Sequence, residues 1–400
     1  MILNNKYFIE NGEFFNKNVI VRVDYNVPTE NGKITDLTRI EKSLKTINYL
    51  LNSNSKIILI SHKGRPKERN KKDSLEPIKD ALENLLKEKN IKFNRVLFVD
   101  DCIGDKVKNE ISKMENKDIL ILENLRFYKE EEENDEKFAK ELASLADIYV
   151  SDAFGAIHRA HASITGIAKF IPFYYGYLIK EEVDNLNHVL HTKEYPVVAL
   201  IGGSKVSSKI DVLNSLINKV NILIIGGAMA YTFLKAKGLE VGNSLVENDK
   251  LIFVNDIFSI AKQKNVEIVL PIDHIVVENI ENYRKTIKTK GPEIPDGMIG
   301  VDIGPKTIKE FMKYLKKGKV IFWNGPVGIF EKDDFAKGTM ELAKGIAKIK
   351  AIKVVGGGDS VAAINKANVE KYFTHVSTGG GASLEYIEGK KLPGLEIFED

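Results

Sequence analysis

Short, uninterrupted apolar runs rich in β-branched residues recur along the whole chain, and longer amphipathic stretches separate them. Such runs are typical of parallel strands that are buried on both faces, because helices cover both sides of a parallel sheet. The first half contains Val19–Val23, Ile57–Ser61, Val96–Val99, Ile119–Leu122 and Ile148–Ser151. The second half contains Val197–Ile201, Ile222–Ile225, Ile268–Leu270, Val320–Trp323, Lys353–Val355 and Thr374–Ser377. This alternation predicts an α/β fold with parallel sheets.

The stretches between the runs are long enough for helices. Over Ser74–Asn90, for example, apolar residues recur at helical spacing. The segment 173–196 has no strand-like run and is interpreted as one amphipathic helix. We therefore predict two similar-sized doubly wound, Rossmann-like domains at 1–172 and 197–386, joined by a helix at 173–196. The tail at 387–400 is too short for a domain and is expected to pack back on the first one.

Composition excludes several classes of function. The chain has 59 basic and 56 acidic residues and a net charge of +3, unlike a nucleic-acid-binding protein with its basic excess. The single cysteine, Cys102, excludes an internal disulfide and a cysteine metal site. No basic-then-apolar leader and no apolar run of about 20 residues is present. The expectation is a cytoplasmic monomer with no nucleic-acid or membrane partner.

Residues that follow parallel strands meet at one edge of the sheet, where ligands bind. In the first half these segments are Asp24–Pro28, His62–Pro66, Glu123–Phe127 and Ser151–Ser163. Together with Arg39, they supply arginines and histidines: Arg39, Arg65, Arg126, Arg159, His62, His158 and His161. Four arginines at one edge would repel one another unless they face a multiply charged anion, which guanidinium groups bind with paired hydrogen bonds. Taken singly, each arginine could be a solvated surface residue, and the histidines could be helix-capping or core residues.

The corresponding segments of the second half are rich in glycine. They are Gly202–Val206, Gly226–Ala230, Asn324–Glu331, Gly356–Ser360 and Thr378–Ser383. Glycine lets the backbone approach a nucleotide and direct N–H groups at its phosphates, although turns also use glycine. Lys205 and Lys209 lie one helical turn apart and could both reach phosphates. Asp359 is a candidate Mg²⁺ ligand, since Mg²⁺ takes one or two carboxylates together with phosphate oxygens.

Three common nucleotide-binding signatures are absent from the sequence. There is no G-x-x-x-x-G-K-[ST] loop, no G-x-G-x-x-G at the first strand and no protein-kinase catalytic loop. Any nucleotide site must therefore have another design.

Eight strings, in order and across nearly the whole chain, resemble the phosphoglycerate kinase family. They are DYNVP, HKGRP, LENLRF, DAFGAIHRAHAS, GGSKV, WNGPVGIFE, GGGDS and STGGGASLE. The resemblance implies reversible phosphoryl transfer between 1,3-bisphosphoglycerate and ADP, giving 3-phosphoglycerate and ATP with Mg²⁺. This is a step of glycolysis and gluconeogenesis.

The resemblance also implies roles for individual residues. The acid would bind Asp24, Tyr25, Asn26, Arg39, His62, Lys63, Gly64, Arg65, Arg126 and Arg159. The nucleotide would bind Lys205, Lys209, Gly226, Gly227, Gly300, Pro326, Val327, Glu331, Gly357, Gly358, Asp359 and Ser360, with Asp359 at the metal. Catalysis is assigned to Arg39, Lys205, Gly379 and Gly380. The chain departs from the family pattern at Tyr25, Lys63, Ser151 and Ala228, and Lys63 would add a cation beside the anion site.

A carboxylate acceptor is already ionised at neutral pH, so this chemistry needs no general base and depends on positioning and charge neutralisation. One ligand in each domain implies domain closure, which also excludes water. Two alternatives stay open at this point. One is another acyl-phosphate kinase that acts on a different small acid, and the other is a non-catalytic anion-binding protein.

Overall fold

The chain forms two compact units in the computed structural model, which describes residues 4–30 and 32–397. Unit 1 comprises Met1–Val183 and Lys391–Asp400, and unit 2 comprises Asp184–Lys390. Of the predicted tail at 387–400, residues 398–400 lie outside the described part. Each unit is built on a sheet of six parallel strands, so the predicted fold class is confirmed.

Unit 1 has the strand order β5-β6-β4-β1-β7-β8 in its main sheet, and β2 pairs with β3 in a short hairpin. The strands are β1 (Asn18–Val23), β2 (Thr29–Glu30), β3 (Lys33–Ile34), β4 (Lys56–Ile60), β5 (Val96–Val99), β6 (Ile119–Leu122), β7 (Ile148–Asp152) and β8 (Phe173–Tyr175). The helices are α1 (Thr38–Asn52), α2 (Glu76–Glu88), α3 (Asp105–Ser112), α4 (Lys129–Glu132), α5 (Glu136–Ala143) and α6 (Tyr177–Leu190). The order changes direction at β1 and β7, and a doubly wound sheet binds its ligand at such a point.

The core of unit 1 follows from the apolar runs. All four residues of β6 and the last four of β4 are buried, as expected for strands that helices cover on both faces. Helix α1 turns Ile40, Leu44 and Ile47 toward this sheet at helical spacing.

Unit 2 has the strand order β11-β10-β9-β15-β16-β17 in its main sheet and a smaller antiparallel sheet β13-β12-β14. The strands are β9 (Val197–Ile201), β10 (Ile222–Ile225), β11 (Glu267–Val269), β12 (His274–Val277), β13 (Ile287–Lys288), β14 (Ile299–Ile303), β15 (Val320–Asn324), β16 (Ile352–Gly356) and β17 (His375–Val376). The helices are α7 (Ile210–Leu216), α8 (Met229–Ala236), α9 (Leu251–Lys264), α10 (Pro305–Leu315), α11 (Lys337–Ala347), α12 (Gly358–Lys366) and α13 (Gly381–Ile387). The main sheet has the order of dinucleotide-binding folds, and its direction changes between β9 and β15.

The predicted helix over 173–196 is too long at both ends. Its first three residues form β8 at the sheet edge, where aromatic side chains are favourable. Gly176 lies between strand and helix, and only glycine fits at this position, because a Cβ there would lie 2.2 Å from Asp152 Oδ1. The antiparallel sheet of unit 2 is also absent from the prediction, since its strands are short and a glycine and an aspartate interrupt β14.

Among the described residues, no helix combines the length and the apolar character that crossing a membrane requires.

Candidate active site

Four adjacent strands of unit 1, β6-β4-β1-β7, carry the predicted anion-binding residues just beyond their carboxyl ends. Because all their pairings are parallel, these ends share one edge of the sheet. Asp24 and Asn26 follow β1, His62 and Arg65 follow β4, and Arg126 follows β6. Arg159 follows β7, and Arg39 lies in the first turn of α1.

His62 and the arginines at this edge act on one another electrostatically. Burial lowers the pKa of His62 well below its usual 6.5, and four guanidinium groups lower it further: Arg22, Arg126, Arg159 and Arg39. Burial likewise lowers the pKa of Arg126 to about 10, with Glu132 opposing the shift. So much positive charge at a partly desolvated edge costs free energy that the protein's own carboxylates offset in part and that a bound anion would offset further.

Individual contacts hold the cluster in place. Arg39 forms an ion pair with Asp24. Arg126 donates to the carbonyl of Gly64 and lies 2.9 Å from Glu132 Oε1 through its Nε. The loop after β4 is further fixed because Asn26 Oδ1 accepts the Gly64 N–H at 2.9 Å.

Arg65 and Arg159 are held less tightly. Arg65 is exposed. Arg159 is half-buried, and its Nε lies 3.2 Å from His158 Nε2. His161 is held differently from the arginines, since its Nδ1 lies 3.7 Å from the buried Glu131 carboxylate.

Two side chains assigned to the acid point into the fold instead. The ring of Tyr25 belongs to the apolar core, and its hydroxyl lies 2.8 Å from Ser43 Oγ. The ammonium of Lys63 donates to the carbonyls of Lys72 at 2.9 Å and Ser74 at 3.4 Å. Lys63 therefore fastens the loop after β4, and the Tyr25 side chain is turned away from the cluster, with its own N–H donating to Ser61 Oγ at 2.8 Å.

Sequence reasoning missed a buried polar network behind the cluster. Its members are Arg22, Glu131 and Ser163, each no more than 1% exposed. The signal was present in the sequence, because Arg22 interrupts an otherwise apolar strand, NVIVRV. A charge at such a position is almost never buried without partners.

Unit 2 contains a cavity of about 340 Å³ beyond the carboxyl ends of β9, β10 and β15. Of the predicted nucleotide residues, the cavity is lined by Gly227, Gly300, Pro326, Val327, Glu331 and Asp359. It is also lined by five larger side chains that were not predicted, Tyr231, Leu245, Ile280, Ile299 and Ile329. A mainly apolar cavity with a few polar groups at a switch point of the sheet suits a planar base.

The glycines around this cavity serve the packing of the strand ends as well as ligand access. A Cβ on Gly202 would lie 2.1 Å from the carbonyl oxygen of Pro326, and one on Gly227 would lie 2.4 Å from that of Gly203. Gly227 also has φ +68°, a left-handed conformation that favours glycine. The loops after β9, β10 and β15 thus approach one another at backbone distance.

The predicted phosphate residues lie at the ends of β9 and β16. Lys209 Nζ donates to Asn324 Oδ1 at 2.6 Å, and burial lowers the pKa of this ammonium while Asp359 opposes the shift. Lys205 is exposed in the turn before α7. Gly358 and Asp359 are exposed in the first turn of α12, a position that favours anions. Gly357 precedes that helix with φ +90°, and Ser360 is buried and accepts the Gly325 N–H at 2.6 Å.

The remaining predicted positions differ in availability. The Gly379 N–H already donates to Ser377 Oγ at 3.1 Å, so a phosphoryl group would have to displace this bond. A Cβ on Gly380 would meet nothing within 4 Å, so the backbone there is open to a ligand. Gly226 packs on Val327. Within the described ranges no group of three or more metal-ligating side chains occurs, so Asp359 would need phosphate oxygens and water to complete a Mg²⁺ shell.

Comparison with known proteins gives the family and the fold that the chain shares with them. The family profile described as phosphoglycerate kinase matches residues 9–390. A phosphoglycerate kinase of Pseudothermotoga lettingae is 51% identical over 399 residues, covering 99% of both chains. That of Borrelia duttonii is 49% identical over 392 residues, covering 98% of both. The solved structure of phosphoglycerate kinase from Coxiella burnetii aligns with a TM-score of 0.86 at 39% identity, covering 97% of each chain.

Proposed function

The chain belongs to the phosphoglycerate kinase family, and on that premise we propose which of its residues perform the reaction. The family's activity is reversible phosphoryl transfer between 1,3-bisphosphoglycerate and ADP, a step of glycolysis that yields 3-phosphoglycerate and ATP. The substrates are therefore a phosphoglycerate and an adenine nucleotide. A cytoplasmic location and a monomeric state stay predictions.

We assign the acid substrate to unit 1, and the observation that carries this assignment is the coupled arginine cluster. Arg39, Arg65, Arg126 and Arg159 face a ligand whose carboxylate and phosphate carry about three negative charges, and Asp24 and Asn26 orient two of the surrounding loops. At an effective dielectric near 20, two unit charges 4 Å apart attract by about 4 kcal/mol, and solvent screening reduces this for the exposed Arg65. An acid with a single negative charge would leave most of the repulsion among these four arginines uncompensated.

We assign the nucleotide to unit 2. The base would occupy the cavity beside Gly300 and Val327, and Glu331 would accept a hydrogen bond from the ribose. Lys205, Lys209 and the first turn of α12 would hold the phosphates, in line with the preference of helix N-termini for anions. Asp359 lines this cavity and is exposed, so its carboxylate could bind Mg²⁺. The ion would supply neutralisation of phosphate charge.

The chemistry follows from these assignments. A carboxylate oxygen of 3-phosphoglycerate attacks the γ-phosphorus, the bond to the β–γ bridging oxygen breaks, and no proton needs to be removed. Arg39 and Lys205 neutralise the three equatorial oxygens of the transferring group, and the N–H groups of Gly380 and Gly379 assist.

A coupled assay tests the assignment of substrate. With Mg²⁺ and ATP, we expect turnover with 3-phosphoglycerate and none with acetate at equal concentration, and loss of turnover on chelation of Mg²⁺. Turnover with acetate alone would identify another acyl-phosphate kinase. Absence of turnover with both acids would favour a non-catalytic anion-binding protein.

A further inference from the structure

Arg22 is a buried cation in the central strand β1, and the chemistry proposed above does not use it. Its side chain is 1% exposed, and its register partners are Ile60 of β4 and Ser151 of β7. A guanidinium group presents its N–H donors in a fixed plane and has no acceptor. An atom that is hydrogen-bonded to the guanidinium must therefore be the acceptor, and an acceptor nitrogen carries no proton.

The far side of the guanidinium is anchored. Nε donates to Ser163 Oγ at 2.9 Å, and Nη1 donates to the carbonyl of Val23. The Ser163 hydroxyl in turn donates to Glu131 Oε1, and Glu131 Oε2 accepts the Ser163 N–H at 2.9 Å. Glu131 is fully buried, so the anchor lies within the protein and away from solvent.

The near side of the guanidinium meets the candidate site. Arg22 Nη2 lies 3.0 Å from Nδ1 of His62. Because Nη2 only donates, Nδ1 must accept, and an imidazole nitrogen that accepts carries no proton. The single proton of the neutral ring then sits on Nε2.

We infer that Arg22 is a positioning residue that fixes His62 as the neutral Nε2–H tautomer, so that this ring offers the anionic acid one uncharged N–H donor. The inference rests on the proposed assignment of the acid to unit 1 and adds the state of one of its contacts. His62 thus contributes direction to a site where Arg39, Arg65, Arg126 and Arg159 already supply the charge.

The surroundings of His62 agree with a neutral ring. The ring is 5% exposed, and its pKa lies well below the usual value, first because of burial and then because of Arg22, Arg126, Arg159 and Arg39. A proton on Nδ1 would point at the Arg22 guanidinium and would cost the hydrogen bond. At pH 6.5 and above the ring should therefore be neutral in the protein without bound acid.

Nitrogen NMR of the imidazole rings tests the tautomer directly in the wild-type enzyme, free of substrate. In protein labelled with ¹⁵N-histidine, the two-bond ¹H–¹⁵N pattern distinguishes Nε2–H, Nδ1–H and the imidazolium, and His62→Gln identifies the signal. We expect the Nε2–H pattern at every point from pH 6.5 to 8. An Nδ1–H pattern, or an imidazolium in this range, would overturn the inference.

A double-mutant cycle tests whether Arg22 acts through His62. We expect Arg22→Met and His62→Ala each to weaken the binding of 3-phosphoglycerate about tenfold, roughly one hydrogen bond. The double variant should lose little more than either single variant, because coupled residues are not additive. Losses that multiply to about 100-fold would show that Arg22 acts independently, and ATP affinity should be unchanged throughout.

A second variant at position 22 allows the cycle to be measured if the first one does not fold. If Arg22→Met does not fold, Arg22→Lys replaces it, since a single ammonium keeps the charge but cannot span Ser163 and His62 together.

Turnover of 3-phosphoglycerate by the wild type with the wrong tautomer would refute only this inference. The expected tautomer without such turnover would refute only the proposed substrate.

Discussion

Arg39 and Lys205 are the two side chains on which the proposed phosphoryl transfer depends most, and they are held differently. Arg39 is paired with Asp24, whereas Lys205 is exposed. We expect Arg39→Ala and Lys205→Ala to lower kcat on the order of 100-fold, because each removes charge stabilisation that is strongest in the transition state. KM for either substrate should change much less. Steady-state kinetics measure both constants, and Lys219→Ala, at an exposed lysine of unit 2, is the control. A change in KM alone for Arg39→Ala or Lys205→Ala would refute the proposed roles.

Cys102 provides a second prediction for a single residue. Its thiol is fully buried and donates to the carbonyl of Glu123 at 3.0 Å, and burial together with Asp101 and Glu123 raises its pKa well above 9.0. A raised thiol pKa means less thiolate at any given pH, and the thiolate is the reactive form. We expect no labelling of the native enzyme by a thiol reagent at pH 8 and complete labelling after unfolding in urea. Labelling at equal rates in both states would contradict this account.

The residue types at the site could be predicted from sequence, but the direction of each side chain could not. Arg126 and His62 lie together because parallel strands bring their ends to one edge, and strand runs are visible in sequence. Lys63 and Tyr25 turn inward because Lys72, Ser74 and Ser43 offer partners there. Such partners depend on tertiary contacts that a linear pattern does not contain.

A buried carboxylate outside helix α6 accepts a hydrogen bond from the first turn of that helix. Asp152, at the end of β7, accepts the Leu178 N–H at 2.8 Å in the first turn of α6, and burial raises the pKa of this carboxyl to about 7. The folded protein therefore binds a proton that the unfolded chain, with its pKa near 3.9, releases. Between pH 4 and 7 the free energy of unfolding contributed by Asp152 falls as pH rises, and above pH 7 it is constant.

Two substitutions at this position separate charge from capping. Asp152→Asn keeps the acceptor but not the titration, so we expect its melting temperature relative to wild type to be higher at pH 8 than at pH 5. Asp152→Ala loses the cap as well and should be less stable than Asp152→Asn by about 1 kcal/mol at both pH values. The carboxyl of Asp302, whose pKa burial also raises to about 7, is common to all three proteins and cancels. A difference between Asp152→Asn and wild type that did not vary with pH would contradict the assignment.

Elements with a simple pattern could be predicted, and those stabilised by their neighbours could not. The runs at β5, β6, β9 and β10 match the observed strands at both ends, because buried parallel strands are continuously apolar. By contrast, β13 is two exposed residues long and exists only by pairing with β12. The glycine run after β9 was interpreted as a phosphate contact, yet Gly202 is also required by the loop that follows β15.

On the scale of the whole molecule, the proposed assignments place the acid on unit 1 and the nucleotide on unit 2. Direct transfer requires the attacking oxygen and the γ-phosphorus to come within about 3–3.5 Å, and water must be excluded from the phosphoryl group. We therefore expect the radius of gyration from small-angle X-ray scattering to be smaller with 3-phosphoglycerate, Mg²⁺ and a non-hydrolysable ATP analogue together than without ligands. Each ligand alone serves as the control, and Arg39→Ala with both ligands tests whether the site cation contributes to closure. If the radius were the same with and without both substrates, transfer by domain closure in solution would have to be abandoned. The assignment of the acid to unit 1 and of the nucleotide to unit 2 would be unaffected, because it concerns where each ligand binds and not whether the units close.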